Sequence, residues 1–484
     1  MFPLQTFAPD LNILTPGILL DCDGWAPAPT GGMRTVPGPK TMADPLPSEC
    51  LGAVSFKDLA INIRTVAGTA TKLYELGSQK SWNDVSKAGG YSVGGWQFVP
   101  WGNWLIAVAY DSAVQVQKGR GQTFVDLGGN PPRARYAIGL NNFLVTADVY
   151  GDNPYPYRVQ WCAQGNVEDW APSSSTQAGY QDLVDTPGGI TGLAKLAEYL
   201  IVFKRSSIYL GQYVGPPIIW SFRRLGGFLG TQAHRSIVET EAGLYYFGDD
   251  DFYLFDGNVP SRLGEGVRDW FLNRLDRTYV NNMVAGYDAV SGQIFWWFPT
   301  KEDGSSKCAD CLIFDVKTGR WGRKKTYAEA ALIHWAPSVT YGSITDYYAT
   351  YGDLQASGLV YGDGFFSESS FGLAYFDENH TLTRFGGKAG QAVLLTGYQG
   401  NQMVWSEVYG ARPWFSVRPD SCTINPVTKA VMGGASATGN PAELQANGKA
   451  DFISSGHLHA MMFTTQGDAV LEGLDVEYLE VAKE

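Results

Sequence analysis

Apolar and polar positions alternate most regularly between residues 188 and 257. Val, Ile, Tyr, Phe and Trp dominate the apolar runs of this segment, and such side chains favour a pleated, half-buried surface. The gaps between the runs hold Gly, Pro or charged residues and are too short for crossover helices, so the segment predicts an antiparallel meander. The runs, each one or two strands long, are Ile190–Leu196, Tyr199–Lys204, Ser207–Tyr213, Ile218–Arg223 and Leu244–Phe255.

A weak repeat extends this pattern along most of the chain. Pairs of apolar runs end near an aromatic residue, and the first four of these residues are spaced by 42, 46 and 52 positions. Periods of about 40–50 residues with several short strands each are typical of one propeller blade. The sequence therefore predicts an all-β protein in which residues 51–484 form a β-propeller of six to eight blades. The aromatic residues are Trp82, Phe124, Trp170, Phe222, Phe255 and Trp321.

The last strand pair, near residues 456–478, has a predicted role of its own. We expect it to close the ring by pairing with the first blade, because a closed ring leaves no open sheet edge.

Residues 1–50 differ from the rest of the chain. They hold nine of the 25 Pro, together with many apolar residues. Pro fixes φ and lacks a backbone donor, so this segment disfavours a helix or a central strand. We predict an extended Pro-rich N-terminal arm that lies in a groove of its own subunit or of a neighbour. A disordered leader is the alternative.

One helix interrupts the strands near residues 265–280. Apolar and basic side chains recur there at helical spacing, with basic residues toward the C-terminal end, where the helix dipole favours them. We expect this helix to pack against the side of the propeller or against a neighbouring subunit. Gly, Ser, Asn, Pro and Thr enrichment predicts further insertions near residues 336–370 and 417–450.

Composition and charge limit the classes of function. Only 17% of the residues are charged and 13% are aromatic, which suits large contact surfaces in an assembly. The net charge of −12 argues against a protein that grips nucleic acid through its phosphates. No apolar run approaches the ~18 residues that would cross a membrane. The six Cys are scattered, which favours reduced thiols and synthesis in a reducing cytoplasm.

Candidate chemistry is sparse. Cys308 and Cys311 form the sole CxxC motif, without the second pair that structural zinc usually needs. His457 and His459 would lie on one face of a strand, and Asp249–Asp251 would form an acidic turn that could hold Ca²⁺. For each of these, ordinary hydrogen bonding is the simpler interpretation. The sequence predicts no catalytic set, no cofactor and no metal, and hence a protein that is not an enzyme.

Interface candidates come from the predicted helix and from a basic run, RWGRKK, at residues 320–325. We expect the run to face an acidic partner, although a solvated loop charge is also possible. The candidates are Trp270, Phe271, Arg274, Arg320, Arg323, Lys324 and Lys325.

Eight segments, taken in order and with their spacing, resemble the tail hub or nozzle family of short-tailed bacteriophages. The resemblance covers roughly residues 1–330 and 456–484, while residues 336–455 match no part of that pattern. The segments are GTATKLYEL (68–76), WNDVSKAGGYS (82–92), WQFVPWGNWLIAV (96–108), FVDLGGNPPRARY (124–136), RVQWCAQGNVEDW (158–170), LIVFKRSSIYLGQYVGPPIIW (200–220), GLYYFGDDDFYLFDG (243–257) and LIFDVKTGRWGR (312–323).

This resemblance implies a structural virion protein in a homohexameric ring at the end of the tail, assembled in the host cytoplasm. It implies contact with a tail adaptor or head-to-tail connector above, with fibres, spikes or a plug below, and passage of genomic DNA during ejection. Two other classes stay open, because propellers host many functions. They are a carbohydrate-binding receptor or adhesin, and a propeller glycosidase with paired carboxylates at its mouth.

Overall fold

The computed structural model describes residues 2–77, 80–150, 153–227, 229–335, 350–356 and 371–483. Within them the chain forms six separate four-stranded antiparallel sheets, and a seventh four-stranded meander belongs to a larger sheet. The first strands of neighbouring meanders contact one another in a closed circuit, from the first meander to the seventh and back. This arrangement is a β-propeller with seven blades, which confirms the predicted fold class.

Each blade begins at the axis and adds strands outward. Blades 1 to 3 consist of Gly52–Lys57, Ile63–Gly68, Leu73–Leu76 and Trp82–Asp84; Gln97–Trp101, Trp104–Val108, Gln115–Gln117 and Val125–Asp126; and Arg133–Leu140, Phe143–Tyr150, Pro154–Trp161 and Gly179–Asp182. Blades 4 and 5 consist of Ile190–Leu196, Tyr199–Lys204, Ile208–Gly215 and Ile219–Arg224; and Val238–Thr240, Gly243–Phe247, Phe252–Phe255 and Ser261–Arg262. Blades 6 and 7 consist of Val284–Asp288, Gln293–Phe298, Asp310–Asp315 and Arg320–Lys324; and Ala331–Trp335, Phe371–Phe376, Thr381–Gly387 and Gly38–Pro45.

The outermost strand of blade 7 comes from the N-terminal segment. Gly38–Pro45 pairs antiparallel with Thr381–Gly387. The expectation that the C-terminal strand pair closes the ring is therefore wrong. An early strand does so instead, and its Pro residues are tolerated because this position is the outer edge of a blade.

The propeller ends at Gly387, and the strands after it build a two-sheet sandwich rather than further blades. One sheet, here called the long sheet, extends blade 6 with Trp25–Pro27, Met33–Thr35, Val470–Lys483, Val404–Val417 and Ala450–Gly456, and Phe2–Pro3 pairs at its side. The other, the short sheet, contains Thr6–Phe7, Ile18–Asp23, Gln391–Thr396, Leu458–Gln466, Ser421–Lys429 and Ala437–Thr438, with Gln399–Gly400 and Ala442–Glu443 at its sides. The repeat that predicts a propeller up to residue 484 does not hold in this part of the chain.

Ser421–Lys429 corrects a second expectation, that residues 417–450 form an insertion into the propeller. The strand pairs along its length with Leu458–Gln466. Its buried positions alternate through Cys422 and Ile424, which is the period of a half-buried strand. Polar and small residues between these positions hide that pattern in the composition.

The N-terminal arm lies on its own chain, the first of the two predicted placements. The expectation that it disfavours a central strand is wrong, because Trp25–Pro27 and Met33–Thr35 are paired on both sides within the long sheet. Phe7 and Trp25 are completely buried in a core that also contains Trp296 of blade 6 and Phe463 of the short sheet. The arm therefore joins the propeller and the sandwich through one continuous hydrophobic core, and it supplies strands to both.

The predicted helix is present as α1, Arg268–Arg274, between blades 5 and 6, and the 3₁₀ turn Arg277–Asn282 follows it. A second 3₁₀ turn, His234–Ser236, precedes blade 5, and a short helix α2 spans Tyr351–Ala356. The rest of the insertion predicted at residues 336–370 lies outside the described residues. No helix among the described residues is long and apolar enough to span a lipid bilayer.

Candidate functional site

Trp270, a predicted interface residue, packs against the arm of its own chain. Its ring meets that of Phe7 edge to face, with centroids 5.0 Å apart. The guanidinium groups of Arg274 and Arg323 both lie 4.9 Å from the Trp270 ring centroid. Phe271, the next residue, is fully buried in the core. The helix thus presents its aromatic residues to the arm and the core.

Arg323 is buried beside a carboxylate rather than presented to a partner. Its Nε and Nη2 donate to the two oxygens of Asp310 at 3.0 and 2.7 Å, a bidentate pair in which both side chains are almost inaccessible. Nη1 donates to Asp21 of the arm at 3.2 Å. Arg274 stands at the edge of this cluster, 2.8 Å from Glu302.

The remaining basic residues of the run also meet the arm. Arg320 donates to the carbonyl oxygen of Gly31 at 2.6 Å. The backbone N–H of Lys325 donates to Asp23 at 2.8 Å, while its side chain is exposed. Lys324 is half-buried, and burial lowers the pKa of its ammonium group. The structure thus brings the predicted interface residues together, but around the N-terminal arm.

The 3₁₀ turn His234–Ser236 lies at the propeller axis, where it contacts the innermost strands of blades 4 and 6. The side chain of His234 contacts the amide of Gln97 in blade 2, and its ring centroid lies 4.7 Å from that of Tyr136 in blade 3. Arg235 reaches across to donate to the carbonyl oxygen of Glu329, where the chain enters blade 7. The turn therefore lies across the axis and joins blades on opposite sides of it.

The other candidate groups are satisfied locally. Cys308 and Cys311 are buried free thiols, and burial raises the pKa of Cys308 to about 12. Asp251 accepts from the backbone N–H groups of Phe252 and Gly264 at 2.7 and 3.0 Å. No group of three or more metal-ligating side chains occurs in the described part of the chain.

His457 and His459, the two histidines considered as possible metal ligands, have different surroundings. His457 stands between two strands, and its ring meets that of Trp405 edge to face. His459 is buried in the short sheet, 3.0 Å from the hydroxyl of Ser406. Burial lowers the pKa of His459, so its imidazole is neutral at neutral pH.

Sequence reasoning missed an exposed surface on the long sheet, here called the aromatic face. It lies on the side of that sheet away from the core, and on it Trp414 is 51% exposed and Ile453 is 73% exposed. The signal was available in Val404–Val417, where exposed and buried positions alternate around a β-bulge between Val408 and Gly410. The aromatic face comprises Trp405, Tyr409, Trp414, Ile453 and Leu479.

Charged side chains are interspersed on this face, where the hydroxyl of Tyr409 donates to Glu407 at 2.6 Å. The indole N–H of Trp414 donates to Asp475 at 2.7 Å, and Lys449 lies between Asp451 and Glu477 at 2.8 and 2.7 Å. The face therefore combines exposed aromatic side chains with charged pairs.

The fold resembles solved propeller-containing structures only distantly. A structure of YCF48 bound to a D1 peptide aligns with a TM-score of 0.38 and 11% identity, over 62% of this chain and 93% of that chain. PorZ of Porphyromonas gingivalis, a bacterial surface component of a type-IX secretion system, gives 0.35 and 11% over 61% and 35%. A chain of the mitotic checkpoint complex gives 0.41 and 8% over 72% and 93%. No protein-family model and no curated protein matches the chain.

Proposed function

We propose that the chain is a structural virion protein, one subunit of the ring-shaped tail nozzle or hub of a short-tailed bacteriophage. The ring would be a homohexamer that guides DNA during ejection and joins an adaptor ring to fibres, spikes or a plug. The sequence resemblance suggests this role, and the aromatic face is the structural observation that carries it.

The aromatic face is suited to permanent contact with another protein. Trp and Tyr are enriched at interface centres because they bury much area at a low cost in conformational entropy. Large apolar side chains that remain clustered and exposed on a folded chain mark an interaction site more often than a solvated surface. In a cyclic ring, each subunit contacts its two neighbours through two different patches. Because every contact in the ring is the same, disrupting one of these patches disrupts all the contacts.

The position of the axial turn favours a DNA path between subunits. Because His234–Ser236 lies across the axis of each propeller, duplex DNA would pass through the centre of the ring instead. The net charge of −12 per subunit suits such a channel. Contacts between basic side chains and phosphates would slow the DNA, and an acidic protein has few basic side chains to form them. We expect a lumen lined by acidic and neutral residues.

Sedimentation velocity of the purified protein tests the role of the aromatic face. We expect wild type to sediment as a hexamer and the double variant Trp414→Glu, Ile453→Glu as a monomer, because a charge desolvated in an apolar contact is costly. Leu59→Glu, on an exposed loop of blade 1, is the matched control and should remain hexameric. A monomeric wild type, or a hexameric double variant, would contradict the proposal.

A further inference from the structure

A cavity of about 340 Å³ lies between the two sheets of the sandwich. The long sheet lines it with Val408, Leu474 and Val476, and the short sheet with Ile18, Met461 and His459. The walls are thus mainly aliphatic. The volume falls in the lower part of the range of about 300–1,000 Å³ that is typical of small-molecule sites.

Two glycines at the cavity wall lie close to neighbouring backbone and side-chain atoms. Gly400 has a φ of +127°, and a Cβ there would lie 2.1 Å from the carbonyl oxygen of His457. At Gly397 a Cβ would lie 3.0 Å from Ile18 and 3.1 Å from the carbonyl oxygen of Ile13. Gly400 therefore accepts no larger side chain, and a side chain at Gly397 would have to displace Ile18.

The cavity wall carries no full charge. The described residues that line it include no Asp, Glu, Lys or Arg, and its polar groups are hydroxyls, amides and one imidazole. A charged ligand would lose its hydration there without a counter-ion, which is costly. The chemistry of the wall therefore selects uncharged molecules.

One buried acceptor is left without a partner. Nε2 of His459 lies 3.1 Å from the carbonyl oxygen of Gly456, which can only accept, and 3.0 Å from the hydroxyl of Ser406. That hydroxyl donates to the same carbonyl oxygen at 3.3 Å, so we assign the proton to Nε2. Nδ1 then holds a lone pair, and it is buried with no hydrogen-bond partner. Buried polar atoms are rarely left unsatisfied, so each exception calls for an explanation.

We propose that this cavity binds an uncharged, mainly apolar small molecule that carries one hydroxyl or N–H donor. The aliphatic walls hold its apolar body, and Nδ1 of His459 accepts its hydrogen bond. The inference rests on the cavity and its wall, and it is independent of whether the chain forms a ring.

Calorimetric titration with three related probes tests both parts of the proposal. The probes are 1-naphthol, naphthalene, which lacks the donor, and 1-naphthoate, which is charged. We expect 1-naphthol to bind wild type, naphthalene to bind about tenfold more weakly because one hydrogen bond is missing, and 1-naphthoate not to bind. In His459→Phe, 1-naphthol should lose its advantage over naphthalene.

Variants that fill the space locate the binding. Val476→Trp and Val404→Phe, both on the cavity wall, should abolish binding of 1-naphthol. Val417→Trp lies on the same strand as Val404 but outside the cavity, and it should bind as wild type does. Circular dichroism identifies a filling variant that fails to fold, and the other variant then decides.

Three results would overturn the proposal. They are no binding of 1-naphthol to wild type, equal binding by a folded cavity-filling variant, and binding of 1-naphthoate as tight as that of 1-naphthol. The first would indicate that a side chain of another protein, or water alone, occupies the space.

Discussion

At the scale of single residues, Arg323 of blade 6 forms a charged contact with the N-terminal arm. The guanidinium forms a bidentate pair with buried Asp310 and also meets Asp21 of the arm. Removing one partner of such a pair leaves an uncompensated buried charge, whereas replacing both by apolar residues is far less harmful.

Arg323→Ala should therefore lower the free energy of unfolding by about 3–5 kcal/mol. The double variant Arg323→Met, Asp310→Leu should recover most of that loss. Lys325→Ala, which changes an exposed side chain of the same basic run, should alter stability by less than about 0.5 kcal/mol. Urea unfolding measures all three. A loss below about 1 kcal/mol for Arg323→Ala would show that Arg323 contributes little to the stability of the single chain.

His334 gives the fold a predicted dependence on pH. It is buried in the first strand of blade 7, where burial, with Arg384 nearby, lowers its pKa to about 4. Its pKa in the unfolded chain is about 6.5, so between these values the unfolded state binds a proton that the native state does not. The contribution of His334 to stability is thus complete above about pH 6.5 and declines as the pH falls toward about 4.

His334→Phe should remove this part of the pH dependence. The free energy of unfolding of wild type, relative to the variant, should fall steadily from neutral pH to about pH 4. Urea midpoints across that interval measure the difference. A difference independent of pH would show that His334 titrates normally in the native state.

At the scale of elements, the arm completes α1. The backbone N–H groups of Asp269 and Trp270, at the start of the helix, donate to the two carboxylate oxygens of Asp10 at 2.7 and 2.8 Å. These donors have no partner within the helix, so a carboxylate from the arm acts as the cap.

Asp10→Ala should accordingly cost about 1 kcal/mol of stability, the usual loss when a cap is removed. Asp10→Asn keeps one acceptor oxygen and should lose less. Thermal melting of the two variants beside wild type makes the comparison. Equal stability of Asp10→Ala and wild type would show that the arm is held by its apolar residues alone.

The elements also show what a sequence reveals and what it conceals. The strands of blades 4 and 5 follow from local signals, because alternation and turn residues specify a hairpin within about 20 positions. The pairing of Gly38–Pro45 with Thr381–Gly387 and of Ile18–Asp23 with Gln391–Thr396 has no local signal, since the partners are far apart in the chain.

The same limit explains the candidate site. Spacing correctly predicts a helix that carries Trp270 and Arg274, but the surface these residues meet is set by the arm. The aromatic face depends on which side of Val404–Val417 is covered by the core. A β-bulge in this strand changes which alternate residues point to that side, so the sequence pattern before the bulge does not continue after it.

At the scale of the whole molecule, the chain is a propeller whose axis is crossed by its own turn and whose sandwich exposes an aromatic face. A ring built through that face would place the DNA path between subunits. The net charge of −12 per chain would be multiplied around the ring, and acidic side chains that lined the path would keep a polyanion away from its walls.

Electron microscopy of the purified protein tests this account most directly. It predicts a closed six-fold ring of the 52.8 kDa chain, with the aromatic face at the subunit contacts and an open centre lined by acidic and neutral side chains. Single separate subunits, or a ring whose central channel is lined mainly by Arg and Lys, would contradict it.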